Sequence, residues 1–232
     1  MIDLYFWPTP NGYKAAIMLA ELDLEYRVVP VDITAGEQFH PEFLKINPNN
    51  KVPAIVDHDG PHNKPYAVFE SAVVLIYLAE KSGRFLSQDP EKRYDTLKWL
   101  VFQNTTMGPM LGQAHHFMVY ATEKIDYAIE RYDREVGRIY NILEKRLGEF
   151  EYLAGEYSIA DISTFPWVRT RKLHRRDLSE YPNIDRWYQA IKDRPGVRAG
   201  INTLSDSKQW EAKPGTEAWK NMFGKNCRSH QS

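Results

Sequence analysis

The chain has 232 residues, of which 43% are hydrophobic and 26% charged, with a formal net charge of −1. That composition excludes wholesale disorder and low-complexity sequence, and the near-neutral balance argues against a nucleic-acid partner, whose binding face is basic. The single cysteine, Cys227, excludes an intramolecular disulfide, a Cys-x-x-Cys redox motif and a thiolate zinc site; we expect no metal.

In chain order, residues 2–6 form a short apolar strand, and Thr9-Pro10-Asn11-Gly12 a turn. Residues 13–22 carry a helical apolar face. Residues 26–32 are a Val-rich strand, and Pro30 places it at an edge or a bulge. Pro41 opens a short helix through residue 46, and Pro48-Asn49-Asn50 breaks it. A strand over 52–56, a turn at Asp59-Gly60 and a strand over 66–69 follow. Ser71 is expected to cap a helix running to about Lys81, with Gly83 after it.

Residues 1–82 therefore spell βαβαββα. A helical crossover makes the first two strands parallel, and a short loop makes the last two antiparallel. From residue 90 to 202 the pattern is all-helical. Residues 127–147 are strongly amphipathic, with Ile129, Tyr132, Val136, Ile139, Leu143 and Leu147 at steps of three and four. Ser158 and Asp161 spell a capping box for a helix through about residue 173. Pro182 opens another, which Arg194-Pro195-Gly196 ends. Residues 203–232 are a polar tail whose Trp210, Trp219 and Phe223 could dock it on the surface. The longest apolar run is 72–79, far short of the ~20 residues a bilayer span needs. The N-terminus has no basic region ahead of an apolar stretch, so the expected compartment is the cytoplasm, with no membrane partner.

Charge divides the chain unevenly. Residues 1–80 hold 11 Asp+Glu and 5 Lys+Arg, whereas residues 81–232 hold 20 and 25. An acidic half meeting a basic half, within the chain or across a dimer, accounts for such a split.

The first unit is thioredoxin-like, and it has no cysteine at the turn after its first strand, where helix N-terminal amides commonly stabilise a thiolate. Thr9 and Asn11 occupy that turn. Neither is a good nucleophile, but both can hold a thiolate that arrives with a ligand. Lowering a thiol pKa by two units takes ~2.7 kcal/mol. A helix terminus typically supplies ~0.3–1 kcal/mol, and a hydrogen bond to a charged group ~1.5–3 kcal/mol. Terminus plus hydroxyl or amide suffices. The bland alternative is that Thr9 merely caps the helix.

Val52-Pro53 opens a strand, and a cis bond there would leave the Val52 backbone free to pair with an extended peptide. Ser71 at a helix N-terminus can hold a carboxylate, and Glu70 an ammonium group. Together these describe a site for a small peptide with a free α-amino-acid end and a central thiol. Glutathione is such a molecule.

The chain resembles the glutathione transferases over essentially its whole length, and most of all their Nu class. The matching stretches include Pro8-Thr-Pro-Asn-Gly12, Gln38-x-x-Pro-Glu-Phe43, Pro48-Asn-Asn-Lys-Val-Pro-Ala-Ile-Val-Asp-His58, Phe69-Glu-Ser71, Gly108-Pro-Met-Leu-Gly-Gln113 and Tyr127-Ala-Ile-Glu-Arg-Tyr132. The resemblance implies a thioredoxin-like domain followed by an all-helical one, a homodimer, and two glutathione molecules or one glutathione disulfide per site. Thr9 and Asn11 would then face the sulfur, and Val52 beside cis Pro53 the cysteinyl backbone. Glu70 and Ser71 would hold the γ-glutamyl end, and Gln38 and Lys51 the glycyl end. Arg131 would bind a carboxylate of a second glutathione; Arg134 and Arg138 share its face. The implied reaction is reduction of a small-molecule or protein disulfide with borrowed thiols. The alternatives are conjugation of glutathione to small electrophiles, and a glutathione-binding regulatory module with little turnover. Arg131 favours the reductase, since an apolar electrophile gives a buried cation no partner.

Other groups look weaker. Gly60-Pro61 separates His58 from His62 and forbids a zinc-binding helix; His115 and His116 are read as surface or partly buried; Tyr5 is read as core. The basic run over 169–176 is read as a solvated face or a dimer contact.

Overall fold

The computed structural model describes residues 1–205 and 212–224. Its sheet has four strands: β1 (Ile2–Phe6), β2 (Tyr26–Pro30), β3 (Ala54–Asp57) and β4 (Tyr66–Phe69). Their order is β2-β1-β3-β4. β1 and β2 are parallel, and the pairs β1–β3 and β3–β4 are antiparallel, as the connections require. β2 lies at an edge, so the missing N–H of Pro30 at its end costs no central ladder bond. The strand expected over 52–56 begins instead at Ala54, because Pro53 has no N–H to donate to a ladder and its bond to Val52 is cis.

The helix expected to start at residue 13 is α1 (Pro10–Leu22). Thr9 is its N-cap, with Oγ1 accepting the Gly12 N–H at 2.9 Å, so the supposed turn is the helix's first turn. A Cβ on Gly12 would stand 2.2 Å from the Trp7 carbonyl oxygen, which makes glycine obligatory there. α2 (Pro41–Ile46) matches expectation. α3 (Ser71–Ser82) corrects it: its N-cap is Glu70, and Ser71 is the first helical residue. The Ser71 hydroxyl is turned away from capping into a buried network described below.

The helical unit comprises α4 (Pro90–Phe102), a π-helical turn over Gln103–Met107, α5 (Gly108–His115), a second π-helical turn over His116–Tyr120, and α6 (Asp126–Glu149). It continues with α7 (Ile159–Arg169), α8 (Pro182–Lys192) and α9 (Pro195–Ile201). α6 buries Val136, Ile139, Leu143 and Leu147, the stripe its periodicity announces. α7 opens on the Ser158–Asp161 capping box but ends at Thr170, short of residue 173. Fully buried Asp161 also accepts from the Leu153 N–H (3.0 Å) and the Trp187 indole (2.8 Å), tying α7 to α8.

One buried cluster runs through both units, from Leu4 and Leu75 to Ile139 and Trp187. α9 lies directly on α1, where a Cβ on Gly200 would stand 2.5 Å from the Ile17 Cα. Arg194 grips Glu21 with two bonds of 2.8 Å beside that contact. The expected polar tail contributes α10 (Glu217–Phe223), which docks through the Trp219 indole on the Tyr120 carbonyl (2.7 Å) and Phe223 stacked on Tyr120. Trp210 and Cys227 lie outside the described residues. Among the described residues no helix is long and apolar enough to cross a membrane, and no cluster of potential metal ligands occurs.

Candidate functional site

A cavity of about 250 Å³ opens at the N-terminus of α1, between the two units. Thr9, Asn11, Gln38, Lys51 and Val52, five of the residues singled out in the sequence, line it. Sequence reasoning did not find the lining from Trp167 on α7 and from Met222 on α10. A larger cavity of about 450 Å³ between residues 83–87 and 154–158 contains none of these residues. The smaller one is the candidate site, because a helix N-terminus and several uncharged donors converge there.

Thr9 Oγ1 spends one lone pair on the Gly12 N–H, and its own proton stays available. It both caps the helix and faces the cavity, so the two readings of Thr9 are compatible. Asn11 Oδ1 accepts from the Trp167 indole N–H at 3.0 Å. Gln38 is 5% exposed; its Nε2 donates to the Asn221 carbonyl at 3.2 Å, while its buried Oε1 has no partner among the described residues. Lys51 is exposed at the rim.

The cis bond at Val52-Pro53 is present. The Val52 backbone takes no part in the β3 ladder, which starts at Ala54. Ala54 pairs with Phe69, so Pro53 lies opposite Glu70 at the next step outward. Glu70 has φ 64°, a left-handed conformation uncommon for glutamate, and such strain collects at binding sites. Its carboxylate accepts from Asn49 Nδ2 at 3.4 Å.

Behind Ser71 lies a cation that no local sequence pattern marks. Lys14 is 1% exposed. Its Nζ donates to Gln103 Oε1 (2.6 Å), Ser71 Oγ (3.2 Å) and Asn104 Oδ1 (3.3 Å). The Ser71 hydroxyl in turn donates to Asn104 Oδ1 at 3.1 Å. Gln103 and Asn104 reach Lys14 from the π-helical turn, an irregularity frequent at functional sites. Burial pushes the Lys14 ammonium down to about 7, and the Glu70 carboxylate pulls it back up. The network gathers positive charge beneath the N-terminus of α3.

Arg131 stands exposed on α6 and does not line the cavity. Arg131 is thus not the buried cation that favouring the reductase on its account requires; the buried cation here is Lys14. Arg138 pairs with Glu135 at 2.9 Å, and Arg134 is exposed like Arg131. His115, read as surface or partly buried, is 8% exposed and stacks on Trp167 and His174. Burial pushes it down to about 4, so it is neutral at physiological pH. In the basic run, Arg169 lies over the Tyr13 ring and Arg176 pairs with Asp133 at 2.8 Å, so part of that run is packed inward.

Residues 1–80 match the family model of the glutathione S-transferase N-terminal domain, and residues 126–190 that of the glutathione S-transferase C-terminal domain. The chain belongs to the glutathione transferase family. Among curated relatives of this glutathione transferase, the disulfide-bond oxidoreductase YfcG of Escherichia coli strain K12 is 52% identical over 201 residues, covering 85% of this chain and 93% of the relative. The disulfide-bond oxidoreductase YghU of the same organism is 41% identical, covering 86% and 73%. Among solved structures, a glutathione transferase from Pseudomonas putida with one glutathione disulfide bound per subunit aligns at TM-score 0.84 and 41% identity, covering 88% and 91%. One from Burkholderia graminis with two glutathione molecules per subunit aligns at 0.83 and 41%, covering 88% of each.

Proposed function

We propose that this glutathione transferase is a disulfide-bond oxidoreductase that uses two bound glutathione molecules in place of a protein thiol. The observation that carries the reading is the composition of the cavity at the α1 N-terminus: Thr9 and Asn11 stand where a thiol would be attacked or made, and among the described residues no cysteine lines it. The two E. coli relatives bear that activity in their names, and the P. putida and B. graminis proteins hold glutathione disulfide and two glutathiones.

The first glutathione lies with its sulfur at Thr9 and Asn11 and its cysteinyl backbone against Val52 beside Pro53. Glu70 takes the γ-glutamyl ammonium, and Ser71 the carboxylate, with Lys14 adding positive potential from behind. Gln38 and Lys51 meet the glycyl end. The first thiolate attacks the substrate disulfide, forming a mixed disulfide and releasing one substrate thiolate. The second glutathione thiolate then attacks the glutathione sulfur of that mixed disulfide. Glutathione disulfide forms, and the second substrate thiolate leaves. Holding both sulfurs in one cavity supplies much of the rate. Arg131, exposed on α6, makes no hydrogen bond among the described residues and is the candidate for a carboxylate of the second glutathione. We place the reaction in the cytoplasm, where the glutathione pool is reducing.

A second reading, conjugation to an apolar electrophile, is favoured by Ile33, Trp167, Met222 and Phe223, which give the cavity an apolar side. Glutathione-dependent reduction of 2-hydroxyethyl disulfide, run beside conjugation of 1-chloro-2,4-dinitrobenzene, on wild type and Arg131→Ala, separates them. The proposal expects reduction to dominate and to fall in the variant. Dominant conjugation indifferent to Arg131 would overturn it, and binding without either activity would point to a regulatory module.

The working unit is a homodimer. Tyr66, Phe69 and Val73 on β4 and α3, and Tyr94 and Val101 on α4, are exposed by 37–66%, an apolar surface suited to a partner subunit. Sedimentation as a monomer at micromolar concentration would contradict this.

A further inference from the structure

We propose that Trp167 is a positioning residue that aims the Asn11 amide, so that its NH2 group rather than its oxygen meets the glutathione sulfur. This rests on the role given to Asn11 above.

A carboxamide has two ends of almost equal shape and opposite polarity. The NH2 end donates to a thiolate and stabilises it. The oxygen end would repel it. A half-turn of the terminal torsion exchanges them, and nothing in asparagine itself decides between them. The indole Nε1–H decides, because it is a donor only and needs an acceptor. It lies 3.0 Å from Asn11 Oδ1. With the oxygen so engaged, Nδ2 is the end left over, and among the described residues it makes no other hydrogen bond. The reversed amide would set two donors face to face and leave a buried indole N–H unpaired.

Trp167 is itself held in place. It is 6% exposed on α7, the helix anchored by the Ser158–Asp161 capping box. Its ring stacks on His115 with 5.7 Å between centroids, and His115 stacks on His174 at 4.1 Å. On α5, Gly108 and Gly112 flank the indole, where added Cβ atoms would lie 3.8 and 3.5 Å from it. The helical unit thus reaches across the boundary between units and sets the polarity of a group in the thioredoxin-like unit.

The test is the ultraviolet titration of the thiolate of bound glutathione in wild type, Asn11→Ala and Trp167→Phe, with disulfide-reduction kinetics alongside. Trp167→Phe keeps the ring and removes the N–H. Both variants should raise the bound thiol's pKa, and Trp167→Phe should lower kcat about tenfold while KM for glutathione stays within about twofold. The double variant should be no worse than Asn11→Ala alone. A wild-type titration in Trp167→Phe, with a raised one in Asn11→Ala, would overturn the positioning role alone. A wild-type titration in Asn11→Ala would overturn it together with the assigned role of Asn11. A second readout does not depend on the folding of Trp167→Phe. The Trp167 indole N–H resonance should shift in Asn11→Ala, and an unmoved resonance would refute the bond.

Discussion

Replacing Lys14 with methionine separates what a buried cation costs the fold from what it gives the site. Its ammonium titrates near 7 against an ordinary value of 10.5, chiefly because burial opposes the charged form. That gap corresponds to ~5 kcal/mol of discrimination against the protonated lysine on folding. Its three acceptors are all neutral and offer no full counter-charge. Two of them keep another donor when Lys14 is removed: Ser163 Oγ donates to Gln103 Oε1 at 2.7 Å, and Ser71 Oγ to Asn104 Oδ1 at 3.1 Å. Ser71 keeps its own bond as donor, so no buried carbonyl is orphaned. The unfolded lysine holds its proton to about pH 10, whereas the folded one releases it near 7. Between those values the unfolded chain binds more protons, so wild-type stability rises with pH, and the penalty is full below pH 7. Lys14→Met should therefore be more stable than wild type at pH 6, by ~1–4 kcal/mol, with the advantage shrinking as pH rises. Calorimetric unfolding reads this. The same variant should bind S-methylglutathione, which has no thiol to titrate, about tenfold more weakly at pH 6. Wild-type affinity should fall as pH rises through 7, while the variant's stays flat. A variant that is less stable at pH 6 and binds as well as wild type would contradict both the burial penalty and the binding role given to Lys14.

Two further substitutions test the scaffold. Asp161→Asn leaves one oxygen where two received four hydrogen bonds from Leu153, Ser158 and Trp187, and should cost ~2–4 kcal/mol in chemical denaturation; a loss below ~1 kcal/mol would contradict the anchoring role given to it. Gly200→Ala forces a methyl group against the α1 backbone and should lower stability by ~1–3 kcal/mol or more, whereas an unchanged melting temperature would mean that α9 lifts off α1 freely.

The sheet was legible because strand alternation, short loops and the crossover leave little choice of pairing, and the α7 start because a capping box is a local pattern. The start of α1 at Pro10 is hidden because proline at a helix N1 position and proline in a turn look alike in sequence. Ser71 reads as a cap because the positive φ of Glu70 leaves no mark in the sequence. The cavity's near wall was readable for the same local reason: Thr9 to Gly12 and Val52-Pro53 are contiguous segments. Lys14 was invisible, since a lysine on a helix is ordinarily solvated and its partners lie 57, 89 and 90 residues away. Trp167 and Asn11 are 156 residues apart, and only the packing of α7 brings them together.

The most direct test of a chemistry run on borrowed thiols is the turnover of the Cys227→Ser chain on 2-hydroxyethyl disulfide with saturating glutathione. Cys227 is the chain's only cysteine. The expected result is the wild-type kcat and kcat/KM, since both attacking sulfurs belong to glutathione. A loss of tenfold or more in a variant of wild-type stability would place a protein thiol in the reaction and contradict the mechanism.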